Sequence, residues 1–278
     1  MTDAGMRTVQ VYGHPVRVSI RPGSADRTPL VLCNGIGASL EVLAPLVRAI
    51  DPAIEVITFD VPGVGGSPAP LAPYRFGSVA LLLANLLRRL GHREIDVLGF
   101  SWGGGLAQQF ALQHPRRCRR LILACTATGM TTVPGKPRAL SKMLTPRRYR
   151  DPVYAAAIAP VLYGGSLRTD PARAREILGS HIRVGDARGY LYQLGAGLGW
   201  TSLPWLPLLR QPTLLLFGDD DPIIPLANGR IMHRLMPGSE LHIFRGGHLE
   251  LLARADSLVP FINEFLGRGR LRDAGSPA

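Results

Sequence analysis

The sequence alternates short apolar runs with longer helical patterns, and this alternation constrains the fold more than any other feature. Strands that are joined by helices in this way form a parallel sheet with helices on its faces. The sequence therefore predicts an α/β fold with a mostly parallel sheet, opened by a hairpin over residues 8–20. The predicted strands are 30–33, 55–59, 95–100, 121–124, 213–218 and 241–244, and the predicted helices lie near 40–50, 77–91, 103–114, 228–236 and 255–267.

The alternation stops between residues 129 and 205, where prolines and strings such as PRRYR, YGGS and GLGWTSLPW occur, and it resumes at 213. We interpret this stretch as an insertion within one sheet and refer to residues 129–205 as the inserted segment. The predicted core therefore has two parts, residues 1–128 and 206–278, and the inserted segment is predicted to form a helical cap.

The string GFSWGGG at 99–105 places one serine on a tight turn between an apolar run and a helical pattern. A serine at the tip of such a turn has a strained backbone, and a Cβ atom on a flanking residue would meet the neighbouring strand or helix. Gly99 and Gly103 avoid that contact. The pattern G-x-S-x-G between a strand and a helix is typical of a nucleophile elbow, so we predict that Ser101 is a nucleophile.

A serine hydroxyl is a weak nucleophile and needs a base that is oriented by an acid, and both are expected downstream in the order acid, then histidine. Three aspartates follow the run 213–218. We predict that Asp221 is the acid, because it lies three residues past this run and leads into PIIP, and that Asp219 and Asp220 form the turn. The alternative is a solvated acidic turn without a catalytic role.

The predicted base is His248, which follows the last apolar run behind two glycines that allow its loop to reach back over the sheet edge. None of the other six histidines has such a position, and we expect them to be structural. Two backbone N–H groups are predicted to stabilise an oxyanion: that of Trp102 at the start of the helix, and that of Ile36 in NGIGAS.

The same region allows a second interpretation, because residues 30–60 read as strand, G-x-G-x-x, helix, strand and then Asp60, much like a dinucleotide fingerprint. Leu40 stands where the third glycine belongs, and the preceding hairpin means that this strand is not the first of the sheet. We therefore disfavour a dehydrogenase and expect Asp60 to be structural.

The composition excludes several classes of protein. Hydrophobic residues make up 46% of the chain and charged residues 19%, which is ordinary for a globular protein. Three cysteines at positions 33, 118 and 125 show neither a C-x-x-C pair nor metal-ligand spacing, so no metal site is expected. The first residues lack the apolar core of a signal peptide, and no run of about 18 apolar residues occurs. We expect a cytoplasmic protein without a membrane span.

The net charge of +12 comes from 32 Lys and Arg against 20 Asp and Glu. It favours attraction to an anionic surface, but a solvated arginine-rich surface explains it equally well. Nucleic-acid binding is not expected, because it requires a basic patch with aromatic side chains placed to stack on bases.

With the elbow, the acid and the histidine in place, the chain resembles the α/β-hydrolase family over nearly its whole length. The strings NGIGAS, FDVPGVGGS, SWGGGLAQQFA, VPGKP, PRRY, YGG, GLGWTS, GDDDPIIP and GHL together resemble the intracellular depolymerases of medium-chain-length poly(3-hydroxyalkanoate). The resemblance implies hydrolysis of a storage polyester by a serine triad without a cofactor, on or near a polymer granule. A small-molecule carboxylesterase, lactonase or thioesterase with the same triad is the alternative.

The inserted segment fits a granule surface in composition. It holds eleven Lys and Arg against four Asp and Glu, five of the seven tyrosines and two of the three tryptophans, but none of the eight phenylalanines. Tyrosine and tryptophan suit an interface that is apolar on one side and wet on the other. The alternative is that these aromatic residues pack the segment on the core while the arginines face water.

Overall fold

The computed structural model describes residues 5–170, 173, 176–177 and 185–268. The ends of the two predicted core parts, 1–4 and 269–278, and parts of the inserted segment lie outside the described residues. The strands run β1 Met6–Val11, β2 His14–Arg21, β3 Leu30–Cys33, β4 Val56–Phe59, β5 Ile95–Phe100, β6 Cys118–Ala124, β7 Thr213–Gly218 and β8 Ser239–Phe244.

The helices lie between these strands and in the inserted segment. They run α1 Ala44–Ala49, α2 Phe76–Arg89, α3 Trp102–Gln113, α4 Pro137–Leu140, α5 Arg147–Arg150, α6 Pro152–Tyr163, α7 Ala187–Gly197, α8 Leu226–Leu235, α9 Glu250–Ala253 and α10 Ala255–Gly267. Short 3₁₀ helices span Leu40–Leu43, Ser141–Met143, Gly165–Arg168 and Leu203–Leu208. Among the helices of the described residues, none has the length and apolar composition needed to cross a membrane.

The strands form one sheet in the order β1-β2-β4-β3-β5-β6-β7-β8, in which β1 and β2 are antiparallel to their neighbours and the rest are parallel. The predicted α/β fold is confirmed. The strands β6 and β7 pair directly although the inserted segment separates them in sequence. The sheet is thus continuous: the chain leaves it at the carboxyl end of β6 and re-enters it at the opposite edge, where Thr213, the first residue of β7, pairs with Leu121.

Helices cover both faces of the sheet, and the apolar runs are buried for that reason. Alternate residues of one strand point to opposite faces: Leu30 and Leu32 pack with α1 and α10, whereas Val31 and Cys33 pack with α2, α3 and α8. The central strands β3 to β7 therefore lack polar–apolar alternation, which is why they read as continuous apolar runs in the sequence.

A buried charge network closes the turn after β4. Asp60 is fully buried, and its carboxylate accepts hydrogen bonds from the N–H groups of Leu40 (2.8 Å) and Gly66 (2.8 Å) and from Arg17 Nη1 (3.0 Å). Arg17 also pairs with Glu41 at 2.5 Å. Asp60 therefore has the structural role that the sequence predicts, and its carboxylate has no free face for a ribose.

Asp60→Asn should lower the free energy of unfolding by about 3 kcal/mol, because it leaves the buried Arg17 without this charge and turns one acceptor into a donor. Urea denaturation measures the change. Asp26→Asn is the control, since Asp26 is exposed and should shift stability by less than about 0.5 kcal/mol. Equal effects of the two substitutions would contradict this account.

Candidate active site

Ser101 lies between β5 and α3 with φ +54° and ψ −119°, a conformation that non-glycine residues rarely adopt. Two hydrogen bonds hold it there: its N–H donates to Ala124 O (2.9 Å), and Thr126 Oγ1 donates to its carbonyl oxygen (2.7 Å). A backbone of this kind costs about 1–3 kcal/mol and persists only where the surroundings determine it fully. The turn therefore has the geometry of a nucleophile elbow.

The glycines beside Ser101 are required by close backbone contacts. A Cβ atom on Gly103 would lie 2.1 Å from the carbonyl oxygen of Cys33 at the end of β3. A Cβ atom on Gly99 would lie 2.5 Å from the carbonyl oxygen of Gly103. Neither backbone atom can move without displacing a strand or the first turn of α3.

The structure brings the three predicted catalytic side chains into one hydrogen-bonded line. Ser101 Oγ lies 2.9 Å from His248 Nε2, and His248 Nδ1 lies 2.7 Å from Asp221 Oδ2. His248 and Asp221 are buried, at 3% and 7% exposure. With Nδ1–H donating to the carboxylate, Nε2 is free to accept the proton of the serine hydroxyl.

The three consecutive aspartates have different partners. Asp219 Oδ1 accepts from the N–H of Gly246 (2.9 Å), and Asp220 accepts two hydrogen bonds from Arg168, at 2.7 and 2.9 Å. The hydrogen bond from Arg168 lowers the pKa of Asp220. Only Asp221 contacts the imidazole of His248.

Asp221 is held by the turn that follows it. Its Oδ1 accepts the N–H groups of Ile223 (2.8 Å) and Ile224 (2.9 Å), which leaves Oδ2 for His248. The sequence predicts Asp221 as the acid because it leads into the string PIIP. In the structure this string forms a turn whose backbone N–H groups hold the Asp221 carboxylate in place.

The inserted segment positions the loop of His248. The backbone N–H of His248 donates to the carbonyl oxygen of Tyr163 (2.7 Å), and a Cβ atom on Gly247 would lie 2.0 Å from that oxygen. The buried Glu250 accepts from Ser166 Oγ (3.1 Å). The histidine loop is therefore clamped to the end of α6 and the 3₁₀ turn after it.

Of the two predicted oxyanion donors, Trp102 follows Ser101 directly in the chain, and Ile36 lines the same cleft as Ser101. Within the described part of the chain, neither the N–H of Ile36 nor that of Trp102 donates to another protein group. The side chain of Asn34 folds the first loop, because its Oδ1 accepts from Gly35 N–H (2.8 Å) and its Nδ2 donates to Ser39 O (2.8 Å). Asn34 thus supports the loop through its own side-chain hydrogen bonds.

Sequence reasoning missed Gln193 and Tyr149, which contact these loops from the inserted segment. Gln193 in α7 is buried, its Oε1 accepts from Gly37 N–H (2.6 Å), and its carbonyl oxygen accepts from Trp102 Nε1 (2.8 Å). Tyr149 donates from its hydroxyl to the carbonyl oxygen of Ile36 (2.7 Å). Their sequence separation of 91 to 156 residues from these partners leaves no local signal in the sequence.

Cys125 lies beside the two catalytic partners, and its Sγ and the ligand atoms of Asp221 and His248 are within 4.8 Å of one another. These three residue types can bind a metal, but a thiol must be deprotonated to do so. Burial raises the pKa of Cys125 well above its ordinary value, and the Asp221 charge adds to the increase. This set of donors therefore fits a neutral thiol packed against the hydrogen-bonded pair better than a metal centre.

Comparison with known proteins matches this chain to hydrolases and to the α/β-hydrolase fold. A family model described as the alpha/beta hydrolase fold matches residues 28–254. A poly(3-hydroxyalkanoate) depolymerase of Ectopseudomonas oleovorans is 49% identical over 271 residues, which are 98% of this chain and 95% of that protein. A 3-oxoadipate enol-lactonase of Acinetobacter baylyi is 26% identical over 229 residues, 82% of this chain and 84% of that protein.

Among solved structures, the enol-lactonase from Burkholderia xenovorans matches with a TM-score of 0.80 at 24% sequence identity. The match covers 94% of this chain and all of that one. Since the family model spans most of the chain, the chain belongs to the α/β-hydrolase fold family.

Proposed function

We propose that this protein is a serine hydrolase that cleaves the ester bonds of poly(3-hydroxyalkanoate) through an acyl-enzyme, with Ser101, His248 and Asp221 as its triad. The observation that carries the proposal is the line of hydrogen bonds from Ser101 Oγ through His248 to Asp221, at 2.9 and 2.7 Å. The relative that is 49% identical over almost the whole chain supports the polyester substrate.

In the first half-reaction, Ser101 Oγ attacks the ester carbonyl carbon while His248 Nε2 takes the hydroxyl proton. The negative charge that develops on the carbonyl oxygen is stabilised by the N–H groups of Ile36 and Trp102. The imidazolium of His248, held by Asp221, then gives its proton to the departing alcohol oxygen. The C–O bond of the ester breaks, and the acyl group remains on the serine.

In the second half-reaction, water takes the place of the alcohol. His248 accepts a proton from the water as its oxygen attacks the acyl-enzyme, and it returns a proton to Ser101 Oγ when the bond to serine breaks. The products are a hydroxyl end and a carboxylate end of the polyester. The chemistry requires only groups of this chain and water.

The proposal treats the inserted segment, residues 129–205, as a cap on a core made of residues 1–128 and 206–278. Several large apolar side chains of this segment are exposed, and these are Met130, Leu144, Val153, Leu191 and Leu198. Its tyrosines and tryptophans are buried or half-buried, so they pack the segment on the core. Exposed aliphatic and basic side chains are therefore the groups that we assign to contact with a polymer granule in the cytoplasm.

Ser101→Ala should lower kcat for polyester hydrolysis by a factor on the order of 10⁶, since members of a triad act as a unit. Release of 3-hydroxy acids from emulsified polymer measures the rate. A fluorescent phosphonate should label the wild-type protein but not Ser101→Ala, and Ser257→Ala, which removes an exposed hydroxyl, should be labelled normally. Activity of Ser101→Ala near the wild-type level would refute the assignment.

The substrate class is tested separately from the triad. The wild-type enzyme should release 3-hydroxy acids from emulsified poly(3-hydroxyalkanoate) and should also hydrolyse soluble p-nitrophenyl esters, because both contain the same acyl–oxygen bond. Hydrolysis of the soluble esters without any release from polymer would retain the triad and contradict the polyester substrate.

Asp221→Asn should lower kcat roughly 10⁴-fold, because an amide at this position favours the wrong tautomer of His248. Asp219→Asn and Asp220→Asn are matched controls in the same turn and should stay close to wild type, since neither side chain contacts the imidazole. A larger loss of kcat in either control would show that the wrong carboxylate has been chosen.

The triple substitution Lys136→Gln, Arg138→Gln and Arg150→Gln should weaken binding to polymer particles with an anionic coat by roughly tenfold or more at low salt, since each basic group near such a surface contributes about 1 kcal/mol. All three residues are exposed. A sedimentation assay measures binding, and the exposed Arg7 and Arg93, changed to Gln, form a control outside the inserted segment. Unaltered binding of the triple variant at low salt would contradict a role of these basic residues in attachment to the particle.

A further inference from the structure

Arg148 is a buried cation next to the candidate nucleophile. It lies in α5 of the inserted segment, is only 2% exposed, and lines the same cleft as Ser101 and His248. No step of the proposed ester hydrolysis uses this side chain.

All partners of the Arg148 guanidinium are neutral. Nη1 donates to the hydroxyl of Tyr190 (2.8 Å), and Nη2 makes only long contacts of 3.4 Å with the carbonyl oxygen of Ile36 and the hydroxyl of Tyr149. The guanidinium carbon also lies 4.6 and 5.4 Å from the ring centroids of Tyr149 and Tyr190. Within the described residues, Nε has no hydrogen-bond partner and no carboxylate lies within ion-pair distance of Arg148.

Other arginines near the core show how unusual this is. Arg17 is buried beside Asp60, and Arg119, which is half-buried, pairs with the buried Asp96. Removing a guanidinium from water is costly unless an anion and hydrogen bonds replace the water. At Arg148 the described residues supply only part of the hydrogen bonds and no anion.

We propose that Arg148 binds the free carboxylate at the end of a 3-hydroxyalkanoate chain, so that the enzyme cuts the last ester bond and releases one 3-hydroxy acid at a time. This rests on the proposed function. A guanidinium with a free Nε–H and a weakly held Nη2 can form the paired hydrogen bonds that a carboxylate accepts.

The chemistry of the polymer places the carboxylate at a suitable distance from the scissile bond. In the terminal unit, the ester oxygen is joined to the carboxylate carbon by three bonds of about 1.5 Å each, so the two atoms are at most about 4 Å apart. One cleft can therefore hold the scissile ester at Ser101 and the carboxylate at Arg148.

The reaction balances with these groups alone. Ser101 Oγ forms a bond to the carbonyl carbon of the penultimate unit, and the bond from that carbon to the ester oxygen breaks. The proton from serine passes through His248 to the departing oxygen, which leaves as a 3-hydroxy acid with its carboxylate on Arg148. Water then frees the shortened chain from the serine, and the new carboxylate end is the next ligand for Arg148.

The test compares the dimer of 3-hydroxyoctanoic acid with its methyl ester, which differs only in the terminal charge. The wild-type enzyme should have a kcat/KM for the free acid that is roughly 10- to 100-fold higher than that for the methyl ester. In Arg148→Gln this ratio should fall to about one, and in Arg148→Lys it should be intermediate. Arg147→Gln is the control, because Arg147 is exposed and pairs with Asp151, and its ratio should match the wild type.

Two results would overturn the proposal. One is a wild-type ratio near one, and the other is an Arg148→Gln variant that loses kcat/KM equally for the acid and the methyl ester, as expected if Arg148 only supports the loop of Ile36. If Arg148→Gln does not fold, the wild-type protein still gives a test. Free 3-hydroxyoctanoate should inhibit hydrolysis of a p-nitrophenyl ester at lower concentrations than methyl 3-hydroxyoctanoate, and equal inhibition would overturn the proposal.

Failure of this inference can be told apart from failure of the proposed function. Labelling of Ser101 by a phosphonate and hydrolysis of neutral p-nitrophenyl esters depend on the triad and not on Arg148. If the protein is labelled and hydrolyses these esters but shows no preference for the free acid, only the assignment of Arg148 as a carboxylate site is wrong. If neither labelling nor ester hydrolysis occurs, the assignment of the protein as a serine hydrolase is wrong.

Discussion

The positive φ of Ser101 is the constraint on which the candidate site depends. A serine in this conformation points its hydroxyl away from both β5 and α3, but only if its neighbours prevent the backbone from relaxing. The carboxyl ends of β3, β5 and β6 lie side by side, so Cys33 blocks Gly103 from one side and Thr126 binds the carbonyl of Ser101 from the other. The strain at one residue is thus maintained by the pairing of three parallel strands.

The same sheet explains how much of the site can be predicted from the sequence. β5 and β7 have the predicted bounds because both faces of the sheet are covered and their runs are apolar throughout. Once the strands are placed, the parallel arrangement brings the residues after β5, β7 and β8 to one edge. Ser101, Asp221 and His248 could therefore be selected from three local patterns without knowledge of the contacts between them.

The residues that could not be predicted are those whose role depends on a distant partner. Gln193, Tyr149 and Glu250 lie in or next to segments with no regular apolar pattern, and each acts through a hydrogen bond to a loop far away in the chain. Asp220 illustrates the same limit: its sequence context predicts only a turn, whereas its partner Arg168 comes from the inserted segment. Local sequence determines which backbone groups need partners, but not which side chains supply them.

These contacts make the inserted segment a part of the candidate site and not merely a cover for it. The carbonyl oxygen of Tyr163 fixes the histidine loop, and Gln193 joins the Gly37 loop to the indole of Trp102. A displacement of this segment would therefore change the position of the base and of both predicted oxyanion donors together. A ligand that displaced the segment would thus also disturb the line of hydrogen bonds from Ser101 to Asp221.

The basic charge of the inserted segment acts in two different ways, depending on exposure. Exposed arginines are solvated and screened over about 10 Å, so they attract any anionic surface and select none. The guanidinium of Arg148 is buried, so salt screens its attraction to a carboxylate in the cleft much less than it screens the exposed arginines. If the exposed arginines attach the protein to a particle and Arg148 binds a chain end, as we propose, the two tasks belong to different residues of one segment. Salt should then weaken attachment to the particle and leave the preference of Arg148 for a free carboxylate unchanged.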